Sequence, residues 1–455
     1  MNGLFLFIGL TLSICIAVFL PGFGASAILA CAPLALLAGL LISRVEQDKT
    51  FLVRLFITAL FVRIIVGVLI FTFDLQTFFG GDAFQYDFYG YALLKSWGGD
   101  SYYRALANYY MGGTDTGTGW GMLYMVAFVY GIIGRNMLAI QFINAVMGAA
   151  TAPIMYLCTR QVFGNFRTAR VAGLFVAFYP SLVLWSSQGL KDGPIVFMLA
   201  ASMLAALELG ARFNIKYFIM LVCSLFALLS LRFYIFYMMV AAIGGAFVIG
   251  MRAVTAQSFL RQFIVIIGIS LSLTYLGVLR YASAQFETYG NLEAVQISRA
   301  DLAISGQSGF GQEADVSTTS GALSVLPMGL LYLLFAPFPW QLASLRQSIT
   351  LPEMLIWWAS FPLLVLGVWF TIKYRLRQAS PILIFTPMLT LAYSLFQGNI
   401  GTAYRQRAQL LIFYFMFVAV GFVLIKEKRE DKKRREILER EADMAALGRP
   451  SSSNI

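Results

Sequence analysis

Acidic side chains are scarce in this chain, yet three stand close together in "FFGGDAFQYDFYGYALLKSWGGD", residues 78–100: Asp82, Asp87 and Asp100, among aromatics and paired glycines. A carboxylate in partly desolvated surroundings holds a proton more tightly and approaches useful strength as a base toward a hydroxyl. On that reading Asp82 is the candidate catalytic base and Asp87 supports it. The same acids could equally be solvated loop residues capping "AFQYDFYGYALLKSW" as an interfacial helix. Cations that would answer such a base lie far away in sequence. Arg405 and Arg407 in "YRQRAQ" are spaced i, i+2 and suit forked binding of an anionic headgroup or pyrophosphate. Lys191 in "GLKDG" and Arg232 in "LRFY" are further phosphate-binding candidates at tight turns between apolar runs. Their plainer readings are a helix start capped by Asp192 with Pro194 in its first turn, and a snorkelling Arg232. Tyr86, Asp192 and Tyr404 adjoin these groups and complete the set as substrate contacts.

The elements that must position these residues are set by composition. Of 455 residues 59% are hydrophobic, 15% aromatic and 12% charged, with mean hydropathy +0.77. A soluble chain carries about 25% charged residues. Apolar runs long enough to cross a roughly 30 Å hydrocarbon layer recur throughout. The expectation is an all-α polytopic membrane protein with spans near 3–20, 25–43, 52–73, 137–158, 171–189, 193–209, 217–231, 234–250, 262–279, 354–373, 381–396 and 409–425. Residues 1–425 then form one transmembrane bundle, with a first outer catalytic loop at 74–136 and a second outer loop at 280–353. Residues 426–455 form a basic tail.

The basic tail "KEKREDKKRREILER" assigns the sides. Counting back with 121–134 and 326–340 kept at the surface or re-entrant places "RVEQDK", "TRQVFGNFRTAR", "ARFNIK", "MRAVTAQSFLRQ" and "KYRLRQ" all with the tail. About twelve spans with both termini cytoplasmic follow, and every candidate site residue falls on the outer face. The net charge of +11 is thereby explained by membrane orientation, which excludes a nucleic-acid partner. The stretch 280–325 is polar and Gly/Ser-rich and reads as a mobile segment able to close over a ligand; the end of the tail reads as a short helix on the membrane surface.

Other chemistry is absent from the pattern. The chain has no histidine, no GxxxxGK[ST] loop and no HExxH, and its four cysteines lie inside apolar runs without metal spacing. No metal ligands are assigned and no cofactor is certain; a divalent cation bridging Asp82 and a donor phosphate is an option that no residue pattern marks.

An acid in the first outer loop, followed by "FGNFRTARVAGLFVAFYPSLVLWSSQGLKDGPIVF" and later by "GNIGTAYRQRAQLLIFYF", resembles the membrane-embedded GT-C glycosyltransferases. The nearest relatives would be the bacterial branch akin to protein O-mannosyltransferases and lipid A sugar transferases. The resemblance implies a polyprenyl-phosphate-linked sugar donor, a catalytic acid at Asp82 and basic residues at the membrane boundary holding the donor phosphate. Where that family often has adjacent acids, Asp82 is followed by Ala83. The expected activity is sugar transfer to a glycan, lipid-linked or other acceptor at the outer face of a bacterial inner membrane. The alternatives are a repeat-unit polymerase with a lipid-pyrophosphate donor, and a lipid-linked sugar flippase. Transport is disfavoured because Arg54 and Arg63 are the main ionisable residues inside a span.

Overall fold

The computed structural model describes residues 2–112, 119–250, 256–278, 290–304, 315–342 and 344–447, with Ala282, Gln285, Glu287, Thr288 and Gly309. Among these the chain is helical throughout, and the one β contact is an isolated bridge between Gly309 and Asn399. The helices are α1 (Asn2–Phe19), α2 (Gly24–Ser43), α3 (Lys49–Thr72), α4 (Gln76–Phe79), α5 (Asp82–Trp97), α6 (Ser101–Gly112), α7 (Gly121–Ile133), α8 (Met137–Phe163), α9 (Phe166–Phe178) and α10 (Pro180–Ser186). They continue as α11 (Asp192–Ala211), α12 (Ile215–Leu231), α13 (Phe233–Gly250), α14 (Ala256–Tyr275), α15 (Leu292–Ile304), α16 (Thr319–Phe335), α17 (Leu345–Phe396) and α18 (Ile400–Leu447).

Six helices (α2, α3, α8, α11, α17 and α18) are long and apolar enough to cross a membrane, and a seventh span results if the bent pair α9–α10 counts as one. The chain is a multi-pass membrane protein. A count of twelve follows only if the bent pair is one span, the shorter apolar helices α1, α12, α13 and α14 cross while α7 and α16 do not, and α17 counts twice. The last condition has support. Arg375 interrupts α17 with non-helical dihedrals (φ −133°, ψ 19°), and the two arms run oppositely along α18. In the first arm Glu353 meets Tyr404 and Leu363 meets Gly421; in the second Tyr393 meets Gln409 and Thr390 meets Tyr414. The basic "KYRLRQ" is therefore the turn of a helical hairpin, as its charge suggests.

The expected single span at 171–189 is broken. Pro180 lacks the N–H that would continue the ladder, and α9 and α10 meet at 53°. The freed carbonyls at the end of α9 need donors inside an apolar bundle. Arg63 of α3 supplies them, donating through Nη1 to Ala177 O (2.7 Å) and through Nη2 to Val176 O (3.3 Å), while its Nε donates to Ser186 Oγ (2.8 Å). Gly148 of α8 makes room, since a Cβ there would lie 2.4 Å from the Ser186 side chain and 2.9 Å from Arg63 Nε. The ionisable residue inside the third span thus holds a bent helix together.

The end of α16 needs donors in the same way. The helix ends at Phe335 against α17 and α18, and its last carbonyls are again met by side chains. Trp357 Nε1 donates to Leu334 O (2.7 Å), Trp358 Nε1 to Phe335 O (3.1 Å), and Arg407 to Leu334 O and Ala336 O (2.7 Å each). The end of α16 is thus satisfied by protein side chains. The tail differs from expectation: α18 runs unbroken through to Leu447, its first exposed turns tied back by Asn165–Glu427 (3.2 Å) and Arg167–Glu430 (2.7 Å). Together with Arg170–Asp48 (2.6 Å), these contacts gather the 44–49 and 160–170 loops and the tail at one end of the bundle. Of the polar stretch 280–325, residues 292–304 form α15, whose Arg299 donates to Leu395 O and Gln397 O. Within that stretch, 280, 281, 283, 284, 286, 289, 305–308 and 310–314 lie outside the described residues.

Candidate active site

At the end of the bundle opposite those basic loops, residues hundreds of positions apart converge. Asp192 is the first residue of α11, fully buried, and its carboxylate faces α18 rather than capping its own helix. Arg405 donates to Asp192 Oδ2 from Nε (2.6 Å) and pairs with the same oxygen through Nη2 (2.6 Å), while its Nη1 donates to Asp82 Oδ2 (2.6 Å). One guanidinium therefore bridges two carboxylates from α5 and α11. The other oxygen of Asp192 receives Gln409 Nε2 (3.3 Å) and lies 3.5 Å from Arg232 Nη2. Arg232 also donates to the hydroxyls of Tyr234 (3.2 Å) and Tyr393 (3.3 Å), and Tyr393 donates to Gln409 Oε1 (2.5 Å). Asp192, Arg232, Tyr393 and Gln409 thus form a closed ring of satisfied polar groups. Within a low-dielectric interior such a ring fixes geometry strongly, because each member would be costly to leave unpaired.

The two acids differ sharply in setting: Asp192 has 0% of its side chain exposed and Asp82 has 49%. Asp82 opens α5, and the loop before it is positioned by the chain around Gln188. Asn144 of α8 donates to both Gln188 O and Leu190 O (2.7 Å each), and Gln76 of α4 donates to Gln188 Oε1 (2.9 Å) and Gly80 O (2.8 Å). Gly80 is extended, and its absent side chain matters for space: a Cβ would meet Leu190 at 3.3 Å. This is a close-approach glycine. Lys191 is half-buried with its ammonium 6.0 Å from the Tyr86 ring centre. Burial, reinforced by Arg232 and Arg405, pushes its pKa down to about 8. Trp185 packs between Tyr404 (6.2 Å between ring centres) and the Arg405 guanidinium (5.8 Å).

Sequence reasoning thus selected Asp82, Lys191, Asp192, Arg232, Arg405 and Tyr86, and the fold brings them together. Three expectations need correction. Asp87 is not beside Asp82 as a free acid: it accepts the Tyr130 hydroxyl (2.5 Å) and forms a two-pronged ion pair with Arg135, tying α5 to α7 and the start of α8. Arg407 does not form a fork with Arg405. Two residues apart on a helix they point about 200° apart, and Arg407 instead holds the end of α16. Tyr404 donates to the buried Glu353 Oε2 (2.7 Å) and reaches the site only through Trp185. Gln409, Tyr393, Trp185, Asn144 and Gln188 were missed. Their only signal is an uncharged polar or amphipathic residue inside or next to an apolar run, a weak cue in a chain rich in them.

A divalent cation at Asp82 would need its ligands free. Arg405 lies between the two carboxylates, and among the described residues no third His, Cys, Asp or Glu joins them. This donor set fits an ion-pair bridge and not a metal cage, and no step below runs through a metal.

Residues 119–277 match the family described as dolichyl-phosphate-mannose-protein mannosyltransferase, which bears out the resemblance to GT-C membrane glycosyltransferases. That segment contains Lys191, Asp192 and Arg232 and leaves Asp82 and Arg405 outside. No curated protein matches the chain. Among solved structures it is similar to the archaeal oligosaccharyltransferase AglB from Archaeoglobus fulgidus in complex with an inhibitory peptide and a dolichol-phosphate, with 16% identity over 74% of this chain and 45% of that one, TM-score 0.41. The apo form of the A. fulgidus oligosaccharyltransferase gives 14% identity over 90% of this chain and 54% of that one, TM-score 0.45. The chain spans about half the length of these structures.

Proposed function

We propose that this protein is a membrane glycosyltransferase that moves a sugar from a polyprenyl-phosphate-linked donor to a hydroxyl of a glycan, lipid-linked or other acceptor, at the outer face of a bacterial inner membrane. The observation that carries the reading is the Asp82–Arg405–Asp192 bridge, with Lys191 and Arg232 around it, at the end away from the basic loops. By the positive-inside rule those basic loops and the tail are cytoplasmic, so the site faces outward.

Asp82 is the half-exposed carboxylate, open to an incoming hydroxyl. In the transfer step the acceptor O–H proton passes to Asp82 and the acceptor oxygen bonds the anomeric carbon. The bond from that carbon to the phosphate oxygen breaks, and its electron pair leaves on the polyprenyl phosphate. Negative charge thereby moves from the acid to the departing phosphate. Arg405, with Lys191 and Arg232 nearby, supplies preorganised cationic stabilisation where that charge develops. Asp192 holds Arg405 from behind and does not itself touch substrate.

The test is transfer of labelled sugar by purified protein from matched polyprenyl-monophosphate and polyprenyl-pyrophosphate donors, comparing wild type with Asp82→Asn. Turnover of the monophosphate donor, lost in the variant, is the expected result. Chain growth from a pyrophosphate donor that persists in Asp82→Asn would replace this reading with a repeat-unit polymerase. Movement of lipid-linked sugar across vesicles without turnover would replace it with a transporter.

A further inference from the structure

Arg405 spends its hydrogen-bonding capacity on two acids that are not equivalent. Asp192 is fully buried, at the N-terminus of a packed helix, and is also bound by Gln409 and close to Arg232. Releasing it would leave a desolvated charge without its strongest partner. Asp82 is half exposed, and Arg405 Nη1 is the partner that holds it. An anion arriving from solvent or from the membrane boundary can therefore exchange only with Asp82, while Arg405 keeps its anchor on Asp192.

We propose that the Asp82 carboxylate occupies the donor-phosphate position on Arg405 in the ligand-free protein, as a built-in competing anion, and that the donor phosphate displaces it. This rests on the glycosyltransferase reading above and adds an order to it. Binding of the phosphate group takes over Nη1 of Arg405, and the same exchange frees the Asp82 carboxylate to accept the hydroxyl proton. The base is masked by an ion pair until a donor is present, so that an acceptor alone meets a neutralised acid. Lys191 and Arg232, on the turns flanking Asp192, keep the surroundings cationic during the exchange.

The consequence is counterintuitive for a catalytic acid: removing the charge of Asp82 should tighten phosphate binding. The experiment titrates farnesyl phosphate into the full-length protein in nanodiscs, with farnesol as the uncharged control. Asp82→Asn is expected to bind farnesyl phosphate about fivefold more tightly than wild type, the size of a partly exposed ion pair, with farnesol unchanged. In the double variant Asp82→Asn/Arg405→Gln the gain should vanish. Equal affinity in wild type and Asp82→Asn, or weaker binding in the variant, would overturn the exchange. A fivefold gain that survives loss of Arg405 would also overturn it, because the competition would then lie elsewhere. Thermal melting of each variant confirms that the affinities compare folded proteins. The outcome is separable from the reading beneath it: the binding shift could stand in a protein that transfers no sugar, and sugar transfer could stand without the shift.

Discussion

The two ends of the helical bundle use the same residue types in opposite ways. At the basic end Arg167–Glu430 is an open pair, with its two side chains 58% and 47% exposed. At the other end Arg405 is 13% exposed and Arg232 10%, and both converge on an acid with no exposure at all. Open pairs exchange readily with water and contribute little. The enclosed set is held in one arrangement because every departure leaves a desolvated charge or polar group. What separates a surface ornament from a site here is therefore burial and mutual satisfaction; both ends are rich in charge.

The largest expected effect would break this contrast directly. Arg405→Ala leaves Asp192 buried without its main partner and should cost about 3–5 kcal/mol of stability, with phosphate binding lost, read by thermal melting and by farnesyl phosphate titration. Arg405→Lys, a point charge unable to bridge both acids, should restore folding in part and binding poorly. Next, Asp82→Asn should lower the transfer rate about 10²–10⁴-fold while the melting temperature hardly moves, since Asp82 is half exposed and held by a single partner. A melting loss as large as that of Arg405→Ala would remove the distinction drawn between the two acids.

Arg407 sharpens the comparison inside a single helix. Arg407→Ala frees the carbonyls at the end of α16 and should destabilise by roughly 2–3 kcal/mol, yet the folded fraction should bind farnesyl phosphate as wild type does. The pH response should come from Lys191. Its pKa is pushed down to about 8, so the ammonium is charged below that value and neutral above it. Phosphate affinity should fall as pH rises through about 8, and Lys191→Arg should abolish the inflection. The smallest effect belongs to the open end: Arg167→Ala should change stability by less than about 1 kcal/mol and leave sugar transfer unchanged.

Much of this was legible in the sequence because the bilayer imposes a simple rule. Apolar length marks helices, and basic loops mark a side; α2, α3, α8 and α11 start and stop within a few residues of where hydropathy places them. Charged residues at tight turns in a greasy chain are rare enough to select themselves, which is how Asp82, Lys191, Asp192, Arg232 and Arg405 stood out. The break at Pro180 was present in the letters but masked by the apolar run around it. Partner choice was not written there. Arg405 and Arg407 are the same residue type two positions apart, and only the rotation of α18 sends one to the two acids and the other to the end of α16. Asp82 and Asp87 share a helix and a chemistry, yet Arg135 and Tyr130 claim one while Arg405 reaches the other, which stays half exposed. Hydropathy is a property of each segment taken alone, so the sequence determines it locally. Which charge is buried, which is free and which guanidinium meets which acid depend on distances between segments hundreds of residues apart, and tertiary packing alone decides those.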